Sequence, residues 1–306
     1  MKLFLLKVFA FLLPIIFLLS VMECAIRAIP NDYEYKRKYL DSNSSSLVGL
    51  VLGSSHSFYG VNPEFLGKNY FNASHVSQSL EYDLAILNKY VDRLTKLKYI
   101  FLPVSYFTMT SKLADGVESW RVKNYCLYYD IRQSRNPADY FEVMSNSFRS
   151  ISRQIYSYYF RNQTNITCNE LGWGSKGTEQ KDLFDTGKTA AKRHTSDSKH
   201  FHANVELLKA IVATALEKKC AVILFTPPAY KTYVIELNQQ QLYSTYDAIK
   251  KVKDQFPNCY YLNLLEDPTF QSQDFYDADH LNASGAEKLS MKLSEFAKWP
   301  LGSNGT

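Results

Sequence analysis

This sequence predicts an α/β fold built on one parallel sheet, and three observations lead there. Short apolar runs alternate with longer stretches whose apolar residues recur at helical spacing. The runs are apolar almost throughout, the pattern of strands buried on both faces. The segments joining them are long enough for helical crossovers, which are right-handed. Five such runs imply a three-layer α/β/α sandwich whose five-stranded sheet takes the flavodoxin-like order 2-1-3-4-5.

The first segment stands outside that body. Leu3 to Met22 is almost continuously apolar, broken by Lys7, Pro14 and Ser20, and is about as long as one bilayer crossing. Lys2 and Lys7 favour a cytoplasmic N-terminus, which puts the remainder on the extracytoplasmic (periplasmic or extracellular) side. No Ala-x-Ala-like cleavage site follows, so residues 1–26 are expected to stay as a single-pass signal anchor. Residues 27–46 are mostly polar and end in Ser-Asn-Ser-Ser-Ser, which suggests a linker to a domain over 47–300, with 301–306 as a tail.

Within the domain the first strand is Leu47–Leu52, stopped by Gly53-Ser54-Ser55-His56. Tyr70–Ala73 is the second. Leu80, Leu84, Leu87, Val91 and Leu94 then mark a helix, with Ser79 at its N-cap. Tyr99–Leu102 is the third strand, closed by Pro103. Val205, Leu208, Val212 and Leu216 mark a helix ending in Lys218-Lys219, as the helix dipole favours. Ala221–Phe225 is the fourth strand, stopped by Pro227-Pro228. Leu242, Tyr246, Ile249 and Phe256 give a helix before the fifth strand, Tyr260–Leu264. Ala286, Leu289, Leu293 and Phe296 give the last helix.

The alternation breaks once. An insert over 106–200 follows the third strand and is too long for a plain crossover. It carries Trp120, the cluster Tyr125, Tyr128 and Tyr129, a helical stretch near Tyr140–Tyr159, and Leu171-Gly172-Trp173-Gly174 before a basic stretch at Lys188–His194. It leaves the sheet at the edge that also carries Ser55, where an insert serves as lid or substrate platform.

Composition narrows the partners. A net charge of +5, with no basic run beyond Lys36-Arg37-Lys38, argues against nucleic acid. The 23 tyrosines and 19 phenylalanines suit an aromatic core, and leave room for a carbohydrate-facing surface. The five cysteines lack CxxC spacing and so give no zinc signal. Cys220 and Cys259 each precede a strand, which allows either a disulfide or two buried thiols. His194, His200 and His202 lack a carboxylate or cysteine at ligand spacing. They are expected to be surface or loop histidines, with no metal and no cofactor.

The chemistry lies at the two ends of the domain. Gly53-Ser54-Ser55 puts a small hydroxyl at the C-terminal edge of the sheet, where open α/β sheets bind ligands. A serine becomes a nucleophile only when a base takes its proton. His280 follows the last strand, and Asp277, three residues earlier, is spaced to turn back onto the imidazole. Asp274 and Asp279 are rival acids. Asp279 is expected to cap the final helix, and His56 to be a wall residue.

The blocks Gly53-Ser54-Ser55 and Asp277-Ala278-Asp279-His280-Leu281-Asn282 resemble those of the SGNH (GDSL-type) hydrolase superfamily. Serine at Ser54, where the family has aspartate, is similar to the membrane-anchored DltD-like and alginate-acetylation-like proteins of bacterial envelopes. The resemblance covers most of 47–105 and 203–298. It implies a triad of Ser55, Asp277 and His280, and an oxyanion hole formed by the Ser55 N–H with donors after the second and third strands. Gln78 and Ser105 stand nearest those places. The implied activity is a serine esterase or O-acyltransferase acting on acyl (acetyl) esters of an envelope or surface polysaccharide. The implied partners are an acylated glycan or small acyl ester, the membrane, and a membrane acyltransferase. The alternative is a catalytically weak or inactive binding or assembly protein on the same fold.

Overall fold

The computed structural model describes residues 1–302, with side chains through Lys298. The expected tail at 301–306 therefore lies, from 303 on, outside the described residues. The N-terminal third contains helices α1 (Lys2–Arg27) and α2 (Asp32–Asn43), strand β1 (Gly49–Val51), helix α3 (Ser55–Gly60), strand β2 (Tyr70–Asn72), helix α4 (Leu80–Tyr90) and strand β3 (Tyr99–Pro103). Helices α5 (Val122–Leu127), α6 (Glu142–Ser145), α7 (Phe148–Arg161), α8 (Leu183–His194) and α9 (Phe201–Glu217) follow. The rest comprises β4 (Ala221–Thr226), α10 (Lys231–Val234), α11 (Gln239–Gln255), β5 (Cys259–Asn263), β6 (Phe275–Asp277), β7 (His280–Leu281) and α12 (Ala283–Gly302).

The chain divides into two compact units. The larger, Tyr39–Gly116 with the chain from Cys168 onward, holds the sheet. Its order is β2-β1-β3-β4-β5, every pairing parallel, as expected. The five strands lie within two residues of their expected limits. Alternate residues serve the two faces. Val51, Phe101, Ile223 and Phe225 pack with Leu289, Leu293 and Ala297 of α12. Leu50, Ile100, Val222 and Leu224 are equally buried on the other face, with α9 and α11 against β4 and β5. The chain passes from β1 to β2 on one side and then returns to β3 on the other. The ends of β1 and β3 thus form the switch point at which such sheets bind ligands.

The smaller unit joins Met1–Lys38 to Val117–Thr167. The expected insert is therefore divided between the units: 117–167 belongs with the N-terminus, and 106–116 and 168–200 with the sheet. Residues 27–46, expected as a linker, instead contain α2. Its polar sequence hides a helix because only two of its apolar side chains, Tyr33 and Leu40, are buried. The Asn31 carboxamide accepts from the Tyr33 and Glu34 N–H groups and starts that helix. Helix α1 is long and apolar enough to cross a membrane, and Leu3 to Val21 carries no burying neighbour.

Two local expectations change. Ser79 stands at the N-cap of α4, but its hydroxyl accepts from the Leu113 N–H instead of capping. All five cysteines are free thiols. The register pairs Cys259 with Val222, two residues past Cys220, and burial pushes both thiols up to about 12.

Candidate active site

The turn from β1 into α3 is held from several directions. Gly53 has φ of +109°, a left-handed backbone that side chains resist. A Cβ there would also meet the Pro103 ring at 2.4 Å. The Gly53 N–H donates to the buried Asp83 carboxylate at 2.7 Å, and the Gln78 amide donates to the same oxygen at 2.6 Å. Burial pushes Asp83 up to about 7 despite these donors. This clamp delivers Ser55 as the first residue of α3.

The other half comes from the β6–β7 hairpin and α12. The Asp277 Oδ1 accepts from the backbone N–H groups of Asp279 (3.2 Å) and His280 (2.9 Å), closing a tight turn. Gly285 lets α12 approach, since a Cβ there would lie 2.1 Å from the Asp274 carbonyl oxygen. Asn282 caps the helix by accepting from the Gly285 N–H at 3.1 Å. It takes the role expected of Asp279.

These two turns bring Ser55, His280 and Asp277 into one hydrogen-bonded row. The His280 Nε2 lies 2.9 Å from the Ser55 Oγ, and its Nδ1 lies 2.9 Å from the Asp277 Oδ1. The spacing of three residues between Asp277 and His280 is what lets the carboxylate fold back onto the ring.

No family model matches the chain, and no curated protein matches it in sequence. Solved structures do resemble it. A GDSL-like lipase from Bacteroides thetaiotaomicron is 11% identical, with a TM-score of 0.41 over 87% of this chain and 99% of that one. A proposed acylhydrolase from Bacteroides fragilis is 10% identical, with a TM-score of 0.42 over 86% and 96%. A proposed platelet activating factor from Streptococcus pneumonia is 12% identical, with a TM-score of 0.44 over 94% and 97%. Each is a distant likeness.

Behind the row lies a polar layer that the sequence did not reveal. Asp279 is buried, with Oδ1 3.4 Å from the His280 Nδ1 and Oδ2 3.8 Å from both the His56 Nε2 and the His194 Nδ1. Three histidines thus surround one carboxylate. His194, expected at the surface or in a loop, ends α8 and lies 2.9 Å from the Tyr233 hydroxyl. Burial lowers His56, and lowers His194 to about 3. Burial also works against charge on His280. There, however, Asp279's charge and the Asp277 hydrogen bond win and raise it to about 10. Asp279 itself is held well below the usual carboxylate range: burial opposes this, but the nearby His280 outweighs it. The Asp279 and Asp277 carboxylates thus favour positive charge on His280, whereas burial disfavours it on His56 and His194. Donor atoms of His56, Asp279 and His280 lie within 4.8 Å of one another, a spacing a small cation could bridge. Both His280 nitrogens are already used by Ser55 and Asp277.

The expected oxyanion donors are engaged elsewhere. The Gln78 side chain is turned to Asp83, and its backbone N–H donates to the His75 carbonyl at 3.1 Å. The Ser105 hydroxyl lies 2.6 Å from the His56 Nδ1, and its N–H donates to the Thr108 hydroxyl at 2.9 Å. Leu171-Gly172-Trp173-Gly174, in contrast, reaches α3. The Trp173 Nε1 donates to the Tyr59 carbonyl at 2.7 Å and the Gly174 N–H to the Phe58 carbonyl at 2.9 Å. Just beyond, the Lys176 ammonium lies over the rings of Tyr59 (4.1 Å) and Tyr276 (4.7 Å). The Tyr59 ring lies 5.8 Å from that of His280, so an aromatic rim borders the row.

Proposed function

We propose that the chain is a serine ester hydrolase or acyltransferase, with Ser55 as nucleophile, His280 as general base and acid, and Asp277 as orienting carboxylate. The observation that carries this is the row itself, Ser55–His280–Asp277 with both contacts at 2.9 Å, at the sheet's switch point. In the proposed reaction the Ser55 Oγ attacks an acyl carbonyl while His280 takes the hydroxyl proton. The departing alcohol then receives that proton and leaves an acyl-enzyme. His280 next deprotonates water or a sugar hydroxyl, which releases the acyl group as acid or as a new ester. In this reading the Ser55 N–H supplies one oxyanion donor; Gln78 and Ser105 would join it only by giving up their present partners.

The half-buried Tyr59 and Tyr276 with Lys176 supply a flat aromatic rim, which supports a glycan carrying acyl esters as substrate. The resemblance to envelope proteins points the same way. Lys2 and Lys7 support placing the domain on the extracytoplasmic side, tethered by α1. Protease added outside intact cells should then digest it, and full protection would reverse the orientation.

A second reading rests on the engaged donors of Gln78 and Ser105: a binding protein without turnover. A fluorophosphonate probe separates the two. Labelling of the wild type that disappears in Ser55→Ala supports the enzyme. An unlabelled wild type supports the binder, and labelling that persists in Ser55→Ala removes Ser55 as nucleophile.

A further inference from the structure

We propose that the α6–α7 segment is a membrane-interface element, whose exposed aromatic and aliphatic side chains rest in the headgroup layer of the bilayer that α1 crosses. The inference lies within the smaller unit and depends on α1 spanning a membrane.

The level of the bilayer surface follows from α1. Its uncovered stretch runs to Val21, and Met22 and Glu23 are the first residues partly covered. Residues 2–21 span about 30 Å at ~1.5 Å per residue, which matches a hydrocarbon core of ~30 Å. The headgroup layer adds roughly 6 Å on each side, or about four further residues of helix. It should therefore reach from Val21 to about Ala25.

Two tethers hold α6 and α7 at that level. The Glu23 carboxylate accepts from the N–H groups of Glu142 (3.0 Å) and Val143 (2.9 Å), binding the start of α6. The Tyr159 hydroxyl of α7 donates to the Ala25 carbonyl at 3.1 Å. Ile151 and Ile155 of α7 fill the seam with Met22, Ile26 and Ile29.

Beside each tether an apolar side chain stands open. Met144 is 61% exposed and Phe160 is 75% exposed, with Tyr156 and Tyr159 about half exposed. Tyr156 and Phe160 stack with ring centroids 5.4 Å apart, and the Arg161 guanidinium lies 5.1 Å from the Tyr156 ring. Helix α7 contains Arg149, Arg153 and Arg161 and no acidic residue. Aromatic rings with arginines at the headgroup level are the chemistry of an interfacial helix on anionic lipid. In water such a face would stay uncovered. With α1 as the first anchor, it becomes the second.

The test uses the full chain in vesicles of phosphatidylcholine with a minor share of phosphatidylglycerol. Phe160→Trp and Met144→Trp each place a reporter beside one tether, and the wild type supplies the background emission. Phosphatidylcholine brominated near the top of its acyl chains should quench the added emission of both variants by about half or more. In purely zwitterionic vesicles the quenching at residue 160 should weaken. Equal quenching there overturns the role given to the arginines. Quenching by aqueous iodide in place of lipid would show a face open to water, and protection from both would show a face covered by protein. Either overturns the proposal. A wild type that fails to float with vesicles overturns the span itself, and the proposal with it.

Discussion

Asp279→Asn removes a charge from behind the row while keeping the shape of the side chain. The Asp279 Oδ1 lies 3.4 Å from the His280 Nδ1. At an effective dielectric constant of ~20, that separation corresponds to about 5 kcal/mol. At ~1.36 kcal/mol per tenfold change, it moves the His280 titration by roughly 3.5 pH units at most. Burial opposes charge on the wild-type histidine, but Asp279 and Asp277 raise it to about 10. Under the proposed mechanism kcat/KM should then climb with pH towards that value. In the variant the climb should level off roughly 2–3 pH units earlier. The transition state also carries an imidazolium, so the same lost charge weakens it. Below both titrations the two losses cancel and the rates should coincide. Above them the variant's plateau should lie about 10²–10³ lower.

The assay is hydrolysis of a small acetyl ester by the detergent-solubilised chain, followed over the pH range in both proteins. A limb that does not move would show that Asp279's charge does not set the histidine's titration. An equal loss at every pH would show a packing role instead. Stability gives a second readout. A histidine raised from 6.5 to about 10 contributes fully below its unfolded value and loses that contribution as pH rises through about 10. The wild type should lose on the order of 5 kcal/mol across that window. Asp279→Asn should lose much less.

Ser55→Ala and His280→Ala should each remove nearly all turnover if, as proposed, they act as one unit of nucleophile and base. Asp277→Asn should cost up to ~10⁴-fold by disturbing the histidine tautomer, and retention of wild-type turnover would remove Asp277 from the proposed triad. Tyr59→Ala with Tyr276→Ala should raise KM for an acylated glycan and leave a small acetyl ester unaffected; equal effects on both would place the rings outside glycan binding. Gly53→Ala forces a side chain into φ of +109° and against Pro103, so thermal melting should show a loss of ~2–4 kcal/mol; an unchanged melt would contradict the strain assigned to this turn.

The sheet was legible because its information is local. Ala221–Thr226 is apolar at almost every position and buried at all six, and the prolines after it leave little choice of end. The crossover rule then sets the order. The smaller unit was not legible, because its partners are far apart in sequence. Nothing in Asp32–Asn43 or Phe148–Arg161 announces that the chain's start and the insert share a core. Polar composition read as a linker where one capping residue, Asn31, sufficed to start a helix.

At the site the divide falls between first neighbours and their support. Asp277 and His280 are three residues apart and close onto each other within a single turn, so their spacing carried the geometry. Ser55 joined them because it follows β1 at the switch point. Asp279 had the same local credentials as a helix cap, and local reasoning gave it that role. What takes it inward is the meeting of three separate elements: α3 brings His56, α8 brings His194, and α12 is already capped by Asn282. Asp83 is not legible for the same reason, since its partners Gly53 and Gln78 precede it across a strand and a turn. Both carboxylates are buried, and a buried charge persists only where donors or cations converge on it. For Asp83 those donors fix the turn that carries Ser55. For Asp279 the facing group is His280, so under the proposed mechanism the charge that a helix cap would have spent on stability instead bears on how readily His280 gives up its proton.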